Sequence, residues 1–126
     1  MNVTVVGTGY VGLVAGACLA HVGHRVTCVD NNSAKIDALN VCKIPIFEPG
    51  LDAIVADSFA AGRLTFTTDL ATAVASSAVV FIAVGTPSDE DGSADVSSVL
   101  AVARDLAPSL SAYTVVVCKS TVPIGT

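Results

Sequence analysis

Hydrophobic positions along the chain follow two rhythms, and the two alternate. Asn2–Val6 is a short β-branched run ended by glycine, which reads as a strand. Val11, Val14, Ala15, Cys18, Leu19 and Val22 then recur at helical spacing, and we expect them to form one apolar helix face. Gly23 supplies a C-terminal cap. Arg25–Val29 reads as a second strand ending at Asp30, and Asn32 or Ser33 can cap a second helix carrying Ile36 and Leu39. Residues 43–50, KIPIFEPG, hold two prolines and read as an ordered loop. Leu51, Ile54, Val55 and Phe59 make a further helix face stopped by Gly62, and Leu64 and Phe66 alternate in a short strand. Asp69 caps a brief helix through Leu70, Ala73 and Val74. Residues 78–84 are apolar without a break, as in a central parallel strand covered on both faces. Val96, Val99, Leu100, Ala103 and Leu106 predict a last helix closed by Pro108, and residues 114–118 a last strand.

Strands and helices thus alternate throughout, with five strands and at least four helices. That order predicts an α/β fold, a parallel sheet with helices on both faces. A length of 126 residues fits one domain. With 52% hydrophobic and 13% charged residues, most elements should be buried on more than one side. No apolar run reaches the roughly 18 residues that span a bilayer, so no membrane partner is expected. The N-terminus has no positive leader region. Net charge is −5 and the six basic residues are scattered, which argues against nucleic acid. Cys18, Cys28, Cys42 and Cys118 form no paired or His-flanked ligand set, and read as small buried hydrophobes in a reducing, cytoplasmic compartment. Asp89, Glu90, Asp91 and Asp95 lack the spacing of a calcium loop, and no metal is expected. His21 and His24 flank the end of the first helix and read as surface residues.

Gly7-Thr8-Gly9-Tyr10-Val11-Gly12 is G-x-G-x-x-G, a weak signal alone. Here it follows a strand, opens a helix and is trailed by Asp30 at the end of the next strand, which is the context of a dinucleotide fingerprint. Gly7 permits the tight turn, Gly9 lets backbone approach a pyrophosphate, and Gly12 lets the helix pack on the sheet. The helix N-terminus offers free N–H groups to the phosphates, so an acidic protein needs no basic patch. Asp30 should accept hydrogen bonds from the adenosine ribose and repel a 2′-phosphate, which predicts NAD rather than NADP. FAD uses the same fingerprint, and a structural strand-to-helix turn is the other reading of the glycines. Lys35 can reach the same ribose edge or be an ordinary exposed lysine. The fold expected is then a Rossmann-type doubly wound sheet, with ligand across the carboxyl ends of its strands.

The second half-site should follow the fourth and fifth strands. There stand Gly85-Thr86-Pro87 and Lys119-Ser120-Thr121-Val122-Pro123, whose hydroxyls lie where chain direction puts ribose and nicotinamide. The alternative is that these hydroxyls bond their own turns. Lys119 is either a phosphate counter-charge or an exposed lysine.

GTGYVGL at 7–13, EPGL at 48–51, GRL at 62–64, VGTP at 84–87, DGSAD at 91–95 and KSTVPIGT at 119–126 together resemble the NAD-binding domain of the UDP-glucose 6-dehydrogenases. That family extends to GDP-mannose and UDP-N-acetylmannosamine dehydrogenases, and KSTVP is more similar to the UDP-glucose group. The resemblance covers essentially residues 1–126. It implies oxidation of a sugar C6 alcohol to a carboxylate with two NAD and no metal. Beside the fingerprint glycines Gly7, Gly9 and Gly12, it implies cofactor roles for the Tyr10 and Val11 backbone, Asp30, Lys35, Thr86 and Thr121, with Thr121 at the reaction centre. It places the loop at Glu48-Pro49-Gly50 on the cofactor side. The family's nucleophilic cysteine and its UDP-sugar domain belong to segments that this sequence lacks, as do its central helix and sixth strand. We therefore expect a truncated sheet, incomplete at its C-terminal end, from an enzyme that is a homo-oligomer when full length. By itself the fragment is expected to be inactive. An expectation of another class is a stand-alone NAD(H)-binding sensor module.

Overall fold

A computed structural model of the chain describes residues 1–90 and 92–126. Asp91, weighed above as a carboxylate and part of DGSAD, lies outside the described residues. Five strands form one all-parallel sheet: β1 (Asn2–Val6), β2 (Arg25–Val29), β3 (Leu64–Thr67), β4 (Val79–Ile82) and β5 (Val115–Cys118), in the order β3-β2-β1-β4-β5. The helices among the described residues are α1 (Tyr10–His21), α2 (Ser33–Asn40), α3 (Leu51–Ala60), α4 (Leu70–Ala75) and α5 (Ser97–Leu106), followed by a 3-10 turn. The chain winds outward from β1 to β3, returns across the sheet, and winds the other way through β4 and β5. This is the expected doubly wound Rossmann-type order, and its switch point lies between β1 and β4.

Registers are continuous. Val5 sits beside Cys28 on one flank and Phe81 on the other. Alternation then sends Val3, Val5, Val26, Cys28, Leu64 and Phe66 into one core layer with Leu13, Ala17 and Ala20 of α1, Ile36 and Leu39 of α2, and Leu51 and Val55 of α3. The opposite layer is smaller: Val6, Val80 and Ile82 meet Val74 of α4 and Val99 and Leu106 of α5. The capping residues read from sequence hold. Asn32 accepts from the Lys35 N–H at 3.2 Å, and Asp69 from the Thr72 N–H at 3.0 Å.

Four expectations are corrected. The sheet-facing side of α1 is Gly12, Leu13, Gly16, Ala17 and Ala20, while Val11, Cys18 and Val22 are exposed. The helix lies so close to the sheet that a Cβ on Gly16 would sit 2.5 Å from the Cys28 sulfur, so small residues rather than large ones mark the buried side. The cysteines are not all buried: Cys28 is, but Cys18, Cys42 and Cys118 are exposed. In α5 the buried positions are Val99 and Leu106 with Val102 half-buried beside them, while Leu100 and Ala103 face outward. β4 is shorter than residues 78–84, and its Val79 and Phe81 side is half-buried rather than closed. His21 is exposed, and His24 is half-buried, its ring 3.5 Å from the Met1 amino group.

Candidate functional site

The G-x-G-x-x-G turn is built by close backbone approach. Gly7 adopts φ +101°, and its N–H donates to the Val29 carbonyl at 2.7 Å. A Cβ there would meet the Ala83 carbonyl oxygen at 2.7 Å, and one on Gly12 would fall 1.9 Å from the Gly7 oxygen. Side chains are therefore excluded from both positions by backbone, which cannot yield. Gly9 differs: a Cβ there would meet nothing, so the open space above it is room for a ligand. No side chain caps α1 at Gly9. The first intrahelical bond runs from the Leu13 N–H to the Gly9 carbonyl at 2.9 Å. The N–H groups of Tyr10, Val11 and Gly12 precede it in the first turn, which has no intrahelical acceptors, at the positive end of the helix dipole.

Asp30 stands at the end of β2, almost completely buried. Its Oδ2 accepts from both the N–H and the hydroxyl of Thr8, at 2.9 and 2.7 Å, and its Oδ1 accepts from the Asn32 N–H at 3.0 Å. The Lys35 ammonium lies 3.5 Å from Oδ2. Burial works to raise the carboxyl pKa, but the Thr8 and Asn32 hydrogen bonds and the Lys35 charge outweigh it, and Asp30 is held below its ordinary value. Lys35 and Asp30 thus share one edge, as their spacing allowed. Thr8 was not singled out in the sequence, because a threonine inside a glycine motif announces no partner 22 residues away.

Past the switch point, the loops after β4 and β5 are tied together. The Thr86 hydroxyl lies 2.7 Å from the Thr121 hydroxyl and 3.0 Å from its carbonyl oxygen. The Ser120 hydroxyl donates to the Val84 carbonyl at 2.7 Å, and the Ser120 and Lys119 N–H groups donate to the Ile82 carbonyl. These hydroxyls therefore bond across loops rather than only within their own turns. Lys119 is exposed.

The third loop reaches the site through Tyr10. Its hydroxyl donates to the Glu48 carboxylate and lies 2.9 Å from the Phe47 carbonyl oxygen. The bond to Glu48, with some desolvation and the carboxylate's charge, raises the phenol pKa above its ordinary value. That tether is how residues 43–50 come to the fingerprint.

Between α2 and α5, along the carboxyl ends of β1, β2 and β4, lies a cleft of about 640 Å³ lined by Gly7, Gly9, Asp30, Lys35, Val84 and Gly85 among others. A second cavity, of about 220 Å³, opens at the opposite ends of the strands beside Arg25 and Arg63. The first brings together the fingerprint, the acid and the switch point. Thr86 and Thr121 sit together beyond its lining, and neither Gly12 nor the exposed Tyr10 and Val11 line it. Among the described residues no group of three His, Cys, Asp or Glu side chains is placed to hold a metal. No helix among them is long and apolar enough to cross a membrane.

Residues 1–126 match the model of the UDP-glucose/GDP-mannose dehydrogenase family, NAD binding domain. The chain is 61% identical over 127 residues to a UDP-glucose 6-dehydrogenase of Rhizobium meliloti, covering 100% of this chain and 29% of the relative. The ternary complex of a GDP-mannose dehydrogenase from Pseudomonas aeruginosa superposes with a TM-score of 0.92 at 42% identity, over 97% of this chain and 29% of that one. A UDP-glucose dehydrogenase from Pyrobaculum islandicum gives a TM-score of 0.93 at 42% identity, over 98% of this chain and 29% of its own. The chain therefore spans less than a third of the length of these relatives.

Proposed function

Because this chain belongs to the UDP-glucose/GDP-mannose dehydrogenase family, we propose that it is the cofactor-binding portion of an NAD-dependent UDP-glucose 6-dehydrogenase, which oxidises the C6 alcohol of UDP-glucose to UDP-glucuronate with two NAD. The observation that carries the cofactor reading is the alignment, in one cleft, of an open Gly9 at a helix N-terminus with an ionised Asp30. The N–H groups of Tyr10, Val11 and Gly12 would hold the pyrophosphate. Asp30, flanked by Lys35, would accept from the adenosine ribose, and its charge disfavours a 2′-phosphate. Gly7 and Gly12 keep the turn narrow enough for both contacts.

When bound, NAD supplies a hydride acceptor. The chain's own part in the chemistry is at the second half-site. Thr86 and Thr121 present paired hydroxyls on loops fixed to each other, so their dipoles are oriented before substrate arrives. Thr121 is the residue we assign to the reaction centre, where its hydroxyl would place a water or the reacting oxygens. Neither the nucleophilic cysteine nor most contacts to the UDP-sugar fall to residues 1–126; in this reading they come from segments outside them. The protein is further proposed to be a cytoplasmic homo-oligomer in its full-length form.

GDP-mannose and UDP-N-acetylmannosamine are the competing substrates, since a GDP-mannose dehydrogenase superposes as closely as a UDP-glucose one. NADH production by the full-length protein with each of the three nucleotide sugars tests the reading. A rate with UDP-glucose well above the other two is expected. A preference for either of the others reassigns the substrate, and absence of NAD reduction with all three overturns the proposal.

A further inference from the structure

We propose that Thr8 is a specificity-positioning residue, whose hydroxyl holds the Asp30 carboxylate in the orientation that accepts an unphosphorylated ribose and turns away a 2′-phosphorylated one. The proposal rests on the cofactor reading above. The G-x-G-x-x-G pattern leaves this position open to any residue, so the motif assigns it nothing.

The argument is one of lone pairs. Each oxygen of a carboxylate accepts about two hydrogen bonds. Oδ2 already takes the Thr8 N–H and the Thr8 hydroxyl, with Lys35 at 3.5 Å besides. Oδ1 takes only the Asn32 N–H. One acceptor site is left, on Oδ1, and Asp30 lines the cleft. A ribose hydroxyl is a donor and satisfies it. A phosphate ester has no donor to offer and brings negative charge against a fixed negative charge.

Thr8 is fully buried and does not line the cleft, so it acts on the ligand only through Asp30. The Thr8 hydroxyl and N–H fill both acceptor sites of Oδ2 while the Asn32 N–H holds Oδ1, and of these three donors the Thr8 hydroxyl is the one supplied by a side chain. With the hydroxyl gone, the carboxylate can turn toward Lys35, the partly exposed cation beside it. The ribose then loses its aligned acceptor, and a 2′-phosphate meets a better-screened group. Lys35 from α2 and Asp105 from α5 are the other charged side chains that line the cleft, and Lys35 reaches Asp30 only at 3.5 Å, longer than either Thr8 bond.

NADH and NADPH titrations of the full-length protein test this, in wild type, Thr8→Val and Thr8→Ser. Valine keeps the shape and removes the hydroxyl; serine keeps the hydroxyl. With Val, NADH should bind about tenfold more weakly while NADPH changes little, so the preference for NADH contracts by about tenfold, the value of one hydrogen bond to a charged group. Serine should restore the preference. The acid limb of NADH binding should also move to higher pH in the Val variant and return in the Ser variant. Thr8→Ala, which adds no atoms, makes the same comparison if Val disturbs the turn. An unchanged NADH preference in Val and Ala, or an equal loss in Ser, overturns the proposal. A wild type with no preference for NADH over NADPH overturns it together with the ribose reading, whereas a wild type that prefers NADH but is insensitive to Thr8 overturns this inference alone.

Discussion

The hydroxyls of Thr86 and Thr121 lie 2.7 Å apart, one after β4 and the other after β5. Thr121 is also the residue we assign to the reaction centre. In the full-length protein, Thr121→Ala is expected to lower kcat by on the order of 100-fold, the scale of one preorganised donor, while the KM for NAD moves only a few-fold. Steady-state kinetics with NAD and nucleotide sugar varied in turn separate the two. An unchanged kcat removes Thr121 from the reaction centre.

Asp30 is held ionised by its partners, and its pKa lies below the ordinary carboxylate value. The sign follows. A group whose folded pKa is depressed contributes stability above its unfolded pKa, and loses that contribution as pH falls through the folded one. Thermal melts of wild type and Asp30→Asn should therefore differ most near neutral pH and converge toward the acid end. NADH affinity should fall about 10- to 100-fold in Asp30→Ala, the range for a hydrogen bond to a charged group. A Tm gap that widens on acidification contradicts the assignment.

Gly12 has no room for a methyl group, since its Cβ would lie 1.9 Å from the Gly7 oxygen and 3.3 Å from the Ala83 Cβ. Gly12→Ala should destabilise by about 3 kcal/mol, the upper range for an overpacked site, and lower Tm on the order of 10 °C. Gly9→Ala meets nothing in the protein, so it should leave Tm near wild type and weaken NADH binding. A stability loss shared equally by both variants would show that the turn, not the ligand, needs Gly9. Differential scanning calorimetry with and without NADH makes the comparison.

Burial pushes the Cys28 thiol up to about 12, while Cys18, Cys42 and Cys118 are exposed. Alkylation of the native protein at neutral pH, followed by peptide mapping, should label the three exposed positions and spare Cys28 until the protein is denatured. Early modification of Cys28 would mean that the α1–β2 seam opens more readily than its packing implies.

The succession of strands and helices, the caps and the fingerprint could be read from the chain because each depends on residues close in sequence, and the sheet order then followed from that alternation rather than from any local signal. Asn32 and Asp69 cap helices that begin at the next residue. The misread side of α1 has a physical cause. Hydropathy weights Val11, Cys18 and Val22 heavily and glycine hardly at all, whereas a helix pressed against a sheet selects for the absence of a side chain. Gly12, Gly16 and Ala20, spaced four apart, carried the signal as a row of small residues. The two contacts that organise the site, Thr8 with Asp30 and Tyr10 with Glu48, join segments 22 and 38 residues apart and depend on how the loops lie after folding. Neither partner is unusual in its own neighbourhood. The cysteines failed for a related reason: residue type indicates preference for the interior, not which side of an element faces it.

Gly12 touches the end of β1 through Gly7 and the segment after β4 through Ala83, and so locks the floor of the cleft to the core of the fold. Asp30 and Lys35 stand at its margin, where side chains can change without displacing backbone. The cleft is in that sense divided for evolution. Drift at the floor is removed as misfolding before any ligand is tested, and only the margin is free to explore new nucleotides. A lineage that changed its cofactor would be expected to carry the exchange at positions 30 and 35, with the buried position 8 changing only as the support of residue 30, on unaltered glycines.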